Sequence, residues 1–80
     1  MKLSLTNERC NLCGVQVRKK RKALHLSQEE LAARLQLMGL EIQQKAISRL
    51  ETGERVVPDY ELPYLAAALQ TDILTLLTQE

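Results

Sequence analysis

Two tyrosines, Tyr60 and Tyr64, are the only aromatic side chains in this sequence of 80 residues. Without Phe or Trp, the interior has to be built from Leu, Ile, Val and Ala. Eighty residues suffice for one such core and are too few for two. Apolar residues make up 45% and charged residues 26%, proportions that favour a globular chain over a disordered one. No apolar run approaches the ~20 residues of a membrane span. The opening Met1-Lys2-Leu3-Ser4-Leu5 lacks the apolar stretch of a signal peptide, so a cytoplasmic location is expected. With a single His and no visible pairing of nucleophile and base, the chain does not read as an enzyme.

Every long segment carries helical rather than strand periodicity, and the expected fold is all-α with five short helices. A polar lead-in over residues 1–10 precedes a domain over 11–80. Asn11 is the expected cap of a first helix reaching about Leu24, with Leu12, Val17, Leu24 and the stem of Arg21 inward. His25 follows where a left-handed residue is expected. Ser27-Gln28-Glu29-Glu30 spells a capping box that opens helix 2. Its buried stripe is Leu31, Ala32, Leu35 and Met38, and Gly39 ends it. Helix 3 starts at Gln43 or Gln44 and runs to Glu51, with Ala46, Ile47 and Leu50 inward, and Gly53 closes it. Asp59 is the expected cap of helix 4, which buries Leu62, Leu65, Ala66 and Leu69. Pro63 there removes a hydrogen bond, so the first turn is either 3₁₀ or shifted. Thr71 or Asp72 caps a fifth helix whose apolar residues are Ile73, Leu74, Leu76 and Leu77.

Charge is divided along the chain. Residues 1–55 hold all eleven Lys and Arg against six acids, a net +5; residues 56–80 hold four acids and no base, a net −4. A basic front half suits an anionic partner such as nucleic acid. Arg18-Lys19-Lys20-Arg21-Lys22 lie in succession on a helix, so 100° steps spread them around it and they cannot share one face. Cys10-Asn11-Leu12-Cys13 is a lone CxxC. Two thiols and His25 cannot close a tetrahedral zinc site within one chain, so no metal or cofactor is expected, and replacing both cysteines by Ser should leave folding unchanged.

The stretch from Val17 to Ala32, containing Arg21 and Ser27-Gln28-Glu29-Glu30-Leu31-Ala32, resembles the opening of the Xre/Cro/lambda-repressor-type helix-turn-helix family. Ala46-Ile47-Ser48-Arg49-Leu50-Glu51-Thr52-Gly53-Glu54-Arg55 is similar to that family's recognition helix and the loop after it. Leu62-Pro63-Tyr64-Leu65-Ala66-Ala67-Ala68-Leu69, followed by Asp72-Ile73-Leu74, resembles its fourth and fifth helices. The likeness covers roughly residues 15–77. It departs in spacing: Leu35 and Ile47 are twelve apart, five more than in the family, with Gln36 where the turn glycine would stand. Helix 2 is therefore expected to gain about one turn and end at Gly39, with Leu40 and Ile42 plugging the turn.

The resemblance implies a compact lambda-repressor-like domain that binds double-stranded operator DNA through helix 3 in the major groove. On it, Gln44 reads a base, Lys45 and Arg49 donate to guanine O6/N7 or to phosphate, and Gln43 and Ser48 make secondary contacts. Gln28 at the start of helix 2 meets a phosphate, and Thr52, Gly53 and Arg55 clamp the backbone. Arg21 and Glu51 form a buried ion pair. The expected function is a sequence-specific transcriptional regulator, a bacterial or phage repressor acting in the cytoplasm at the nucleoid. A homodimer, formed in solution or only on DNA, would pair through helix 5 or neighbouring loops. The alternative is an antitoxin-like module that neutralises a protein partner.

Overall fold

The computed structural model describes residues 9–78. Of the expected lead-in over 1–10, only Arg9 and Cys10 fall within that range; residues 1–8 lie outside it. Five α-helices follow in order: α1 (Gly14–Ala23), α2 (Gln28–Leu37), α3 (Gln44–Thr52), α4 (Leu62–Ala68) and α5 (Ile73–Leu76). A 3₁₀ turn at Asp59–Glu61 leads into α4. Among the described residues there is no strand, and no helix is long and apolar enough to cross a membrane.

The helix ends follow from local chemistry. Ser27 Oγ accepts from the Glu30 amide at 3.0 Å and Glu30 Oε1 accepts from the Ser27 amide at 2.7 Å, which completes the capping box. Asp72 caps α5 by accepting from the Thr75 amide at 2.7 Å, and that bond holds its carboxyl below the usual range. Four helices stop on a residue in the left-handed region: His25 (φ 59°), Gly39 (φ 100°), Gly53 (φ 87°) and Gln70 (φ 58°). After each, the next amide reaches back five residues: Leu26 to the Arg21 carbonyl, Leu40 to Leu35, Glu54 to Arg49 and Thr71 to Ala66. This closure satisfies carbonyls that a helix end otherwise leaves open. Gln70 was not anticipated, because no glycine marks the stop.

Three boundary expectations are corrected. Helix α1 begins at Gly14 with Cys13 as its cap residue, so Cys13 turns inward at 1% exposure while Leu12 is 48% exposed. Asn11 still serves the helix start, since its Oδ1 accepts from the Gly14 amide at 2.8 Å. Met38 lies past the last turn of α2 and is exposed rather than buried. Asp59 starts the 3₁₀ turn instead of capping α4. Because α4 itself begins at Leu62, Pro63 sits in its first turn, where the amide it lacks has no helical acceptor.

The core is aliphatic, formed by Val17, Leu31, Leu35, Leu40, Ile42, Ile47, Leu50, Leu65, Leu69 and Leu76 together with Cys13 and three alanines. Leu40 and Ile42 plug the lengthened turn between α2 and α3, and Gln36 Nε2 ties that turn by donating to the Ile42 carbonyl at 2.7 Å. The burial of Cys13 pushes its thiol pKa up and changes what Ser should do there. Cys13→Ser buries a hydroxyl among aliphatic side chains and is expected to destabilise by about 1–2 kcal/mol, the lower part of the range for an unpartnered hydroxyl. Cys10→Ser, at the surface, should stay within about 0.5 kcal/mol. Urea unfolding of the two single variants checks both; equal stabilities would place Cys13 outside the core.

Candidate nucleic-acid interface

On α3 two arcs face opposite ways. Taking Gln44 as the origin and 100° per residue, Ser48, Lys45 and Arg49 follow at about 40°, 100° and 140°, while Ala46, Leu50 and Ile47 fall at about 200°, 240° and 300°. Gln43, Gln44, Lys45 and Arg49 are exposed and Ser48 is half-buried, whereas Ile47 and Leu50 are fully buried. The apolar arc thus anchors the helix and turns the polar arc outward. No side chain caps the start of α3. Arg49 approaches Glu54 at 3.8 Å with both side chains more than half exposed, a contact that solvent weakens and a stronger anion could displace.

The start of α2 meets the start of α3 despite the lengthened turn. Gln44 Nε2 donates to Gln28 Oε1 at 2.7 Å, and Gln28 Nε2 donates to Glu51 Oε1 at 3.1 Å. Glu51 in turn holds Arg21: Nε to Oε2 at 2.6 Å and Nη2 to Oε1 at 2.9 Å, with side-chain exposures of 3% and 9%. The Glu51 hydrogen bonds raise the Arg21 pKa above its ordinary value. Arg21 Nη1 also donates to the Leu26 carbonyl at 2.7 Å, tying the turn between α1 and α2.

Beside this chain lies an open cleft of about 610 Å³, lined by Arg18, Arg21, Lys22, Ser27, Gln28, Glu29 and Gln44. Arg18 and Lys22 are four residues apart on α1, hence on one face, and both are exposed. Neither side chain makes a hydrogen bond or ion pair among the described residues. On the other side of α3 a second cleft, about 560 Å³, is lined by Lys45, Ala46, Arg49, Glu54, Arg55 and Val56. The polar face of α3 therefore stands between two clefts, each with cations in its wall.

The loop after α3 is occupied differently from expectation. Arg55 is bound to Glu61 through two bonds, Nη1 to Oε1 at 2.7 Å and Nη2 to Oε2 at 2.9 Å, and Glu61 is buried. Those bonds raise the Arg55 pKa and neutralise its charge locally. Gly53 is buried: its amide donates to the Leu50 carbonyl and its carbonyl accepts from the Cys10 amide at 2.7 Å. Arg55 and Gly53, expected as backbone clamps, thus both make contacts within the folded chain. Thr52 remains at the surface, its hydroxyl donating to the Arg49 carbonyl at 3.1 Å.

The scaffold includes a strap that the sequence did not disclose. Arg9 donates to the carbonyls of Glu51 and Thr52 at 3.2 and 3.3 Å, and Asn11 Nδ2 donates to those of Leu50 and Arg55 at 3.0 and 2.7 Å. Together with Cys10, these residues cover the carbonyl end of α3, where a cation is favoured. Gly14 allows α1 to approach: a Cβ there would lie 2.3 Å from the Leu50 carbonyl oxygen.

The helix-turn-helix family matches residues 17–76, three quarters of the chain. The chain belongs to the Xre/lambda-repressor-type helix-turn-helix family. No curated protein and no solved structure matches it. Membership makes this helix-turn-helix protein a DNA-binding regulator of the Xre type, with double-stranded DNA as its partner. The compact five-helix architecture accords with that family.

Proposed function

We propose that this chain is a sequence-specific repressor of bacterial or phage type that covers operator DNA with α3 in the major groove. The observation that carries this reading is the 2.7 Å bond between Gln28 and Gln44. It holds the start of α2 and the start of α3 on one surface although five residues are added between them. A helix N-terminus entering the groove brings its first side chains to the base edges. Gln44, Lys45 and Arg49 then face bases, with Ser48 between them on the same arc and Gln43 just before the helix. Gln28 meets the phosphate backbone with the first amides of α2. The cations in the walls of the flanking clefts suit contact with the phosphate backbones that border a major groove.

The backbone grip on the α2 side falls to Arg18 and Lys22 rather than to Arg55. Each phosphate neutralised by a cation releases counterions, with a slope in log affinity against log salt of about −0.9 per contact. Arg18→Ala and Lys22→Ala should each reduce the salt slope by about one unit and weaken operator and scrambled duplex alike. Arg55→Ala should leave the slope nearly unchanged, because Glu61 already neutralises its guanidinium. Titrations of the three variants at several salt concentrations decide this. A slope that responds to Arg55 and not to Arg18 or Lys22 would return the grip to the loop after α3.

A further inference from the structure

We propose that Glu51 is a positioning residue that sets which hydrogen-bonding pattern Gln44 offers to DNA, and thereby favours adenine over guanine. The inference rests on the reading of Gln44 as a base reader and goes beyond it by naming what orients its amide. The geometry is one chain of bonds: Arg21 Nη2 to Glu51 Oε1 at 2.9 Å, Gln28 Nε2 to the same oxygen at 3.1 Å, and Gln44 Nε2 to Gln28 Oε1 at 2.7 Å.

An isolated glutamine amide can turn either end toward a neighbour. Here the head of the chain is an ionised carboxylate paired with a guanidinium, and such a carboxylate only accepts. Gln28 must therefore turn its NH₂ toward Glu51, which leaves its oxygen facing Gln44. Gln44 must in turn direct one N–H at that oxygen. What remains for a partner is the Gln44 oxygen and its second N–H. That pair matches adenine, which shows a donor at N6 and an acceptor at N7 in the major groove. Guanine shows two acceptors, N7 and O6, and one of them would face the Gln44 oxygen. Helical phase explains why Glu51 can do this. At about 340° from Gln44 it lies on the border of the two arcs of α3, with its carboxylate buried and within reach of α2.

The test replaces the accept-only head. In Glu51→Gln either end of the new amide can face Gln28, so the chain can run in both directions. At the one base pair that Gln44→Ala makes indifferent, Glu51→Gln should lower the preference for A·T over G·C about tenfold, within the range one bidentate base contact supplies. Part of that change should be tighter binding to the G·C duplex, which loss of stability alone cannot produce. Gln28→Met breaks the chain without touching the ion pair and should lower the same ratio, which covers the case in which Glu51→Gln does not fold. Arg21→Lys disturbs the pair but keeps the carboxylate, and should leave the ratio unchanged.

In the free protein, the side-chain amide NMR signals of Gln44 should shift in Glu51→Gln and keep their positions in Arg21→Lys. Two results overturn the proposal: a ratio and amide signals unaffected by Glu51→Gln and Gln28→Met, or changes that merely track the stability lost in Arg21→Lys. If Gln44→Ala leaves every base preference intact, the base-reading assignment itself has failed. The amide signals of the free protein then decide the orienting chain alone.

Discussion

Arg21→Ala and Glu51→Ala should each lower the unfolding free energy by roughly 3–5 kcal/mol, a large share of what a domain of this size possesses. Both partners are almost completely removed from solvent, and the two bonds between them run side by side. Deleting Arg21 strands a carboxylate beneath α1 and takes a donor from the Leu26 carbonyl. Deleting Glu51 strands a guanidinium and releases Gln28. Each loss exceeds the worth of the pair itself, because a buried charge without a partner keeps its full desolvation cost. Replacing both together, Arg21→Met with Glu51→Leu, should therefore recover most of the loss. Urea unfolding of the two single variants and the double variant measures this. Single losses under about 1 kcal/mol, the level of solvent-exposed pairs, would contradict the buried placement.

Gln44→Ala is expected to weaken binding to the preferred operator by about 1–3 kcal/mol while changing binding to scrambled duplex little. The difference between the two duplexes carries the information. A phosphate contact acts on any sequence, whereas a base contact acts only where its base is present. Gln44 lies at the leading edge of the exposed arc and already makes one bond, to Gln28, that leaves an oxygen and an N–H outward. Titration of parent and variant on both duplexes at one salt concentration gives the comparison. Equal weakening on the two would remove Gln44 from the base-reading set.

Much of this architecture is legible locally. The capping box at Ser27, the stops at His25, Gly39 and Gly53, and the aliphatic stripes each follow from a few neighbouring residues. The expected starts of α1 and α4 each lie two residues early: once α1 begins at Gly14 after Cys13, Cys13 turns inward and Leu12 outward. The same problem hid the cleft. Five successive bases give no phase of their own, and only the placement of α1 against α2 shows that Arg18 and Lys22 face Gln28. The strap of Arg9, Cys10 and Asn11 left no sequence signal, because its partners are backbone carbonyls of α3 some forty residues away. The pairing of Arg55 was not legible for a related reason. Its partner Glu61 lies six residues on, across a loop and a 3₁₀ turn, where no regular spacing brings the two side chains together. The resemblance supplied the Arg21 and Glu51 positions; the extension of their pair through Gln28 to Gln44 required coordinates.

The face shared by α2 and α3 is expected to recognise a particular DNA sequence. Selection of bound duplexes from a random pool with the parent protein, followed by titration of the winner against its scrambled counterpart, tests it most directly. The expected result is a recurring short motif, with specific affinity exceeding nonspecific affinity by at least about a thousandfold and falling steeply as salt is raised. Recovery of unrelated sequences, bound no better than scrambled duplex at any salt concentration, would contradict it.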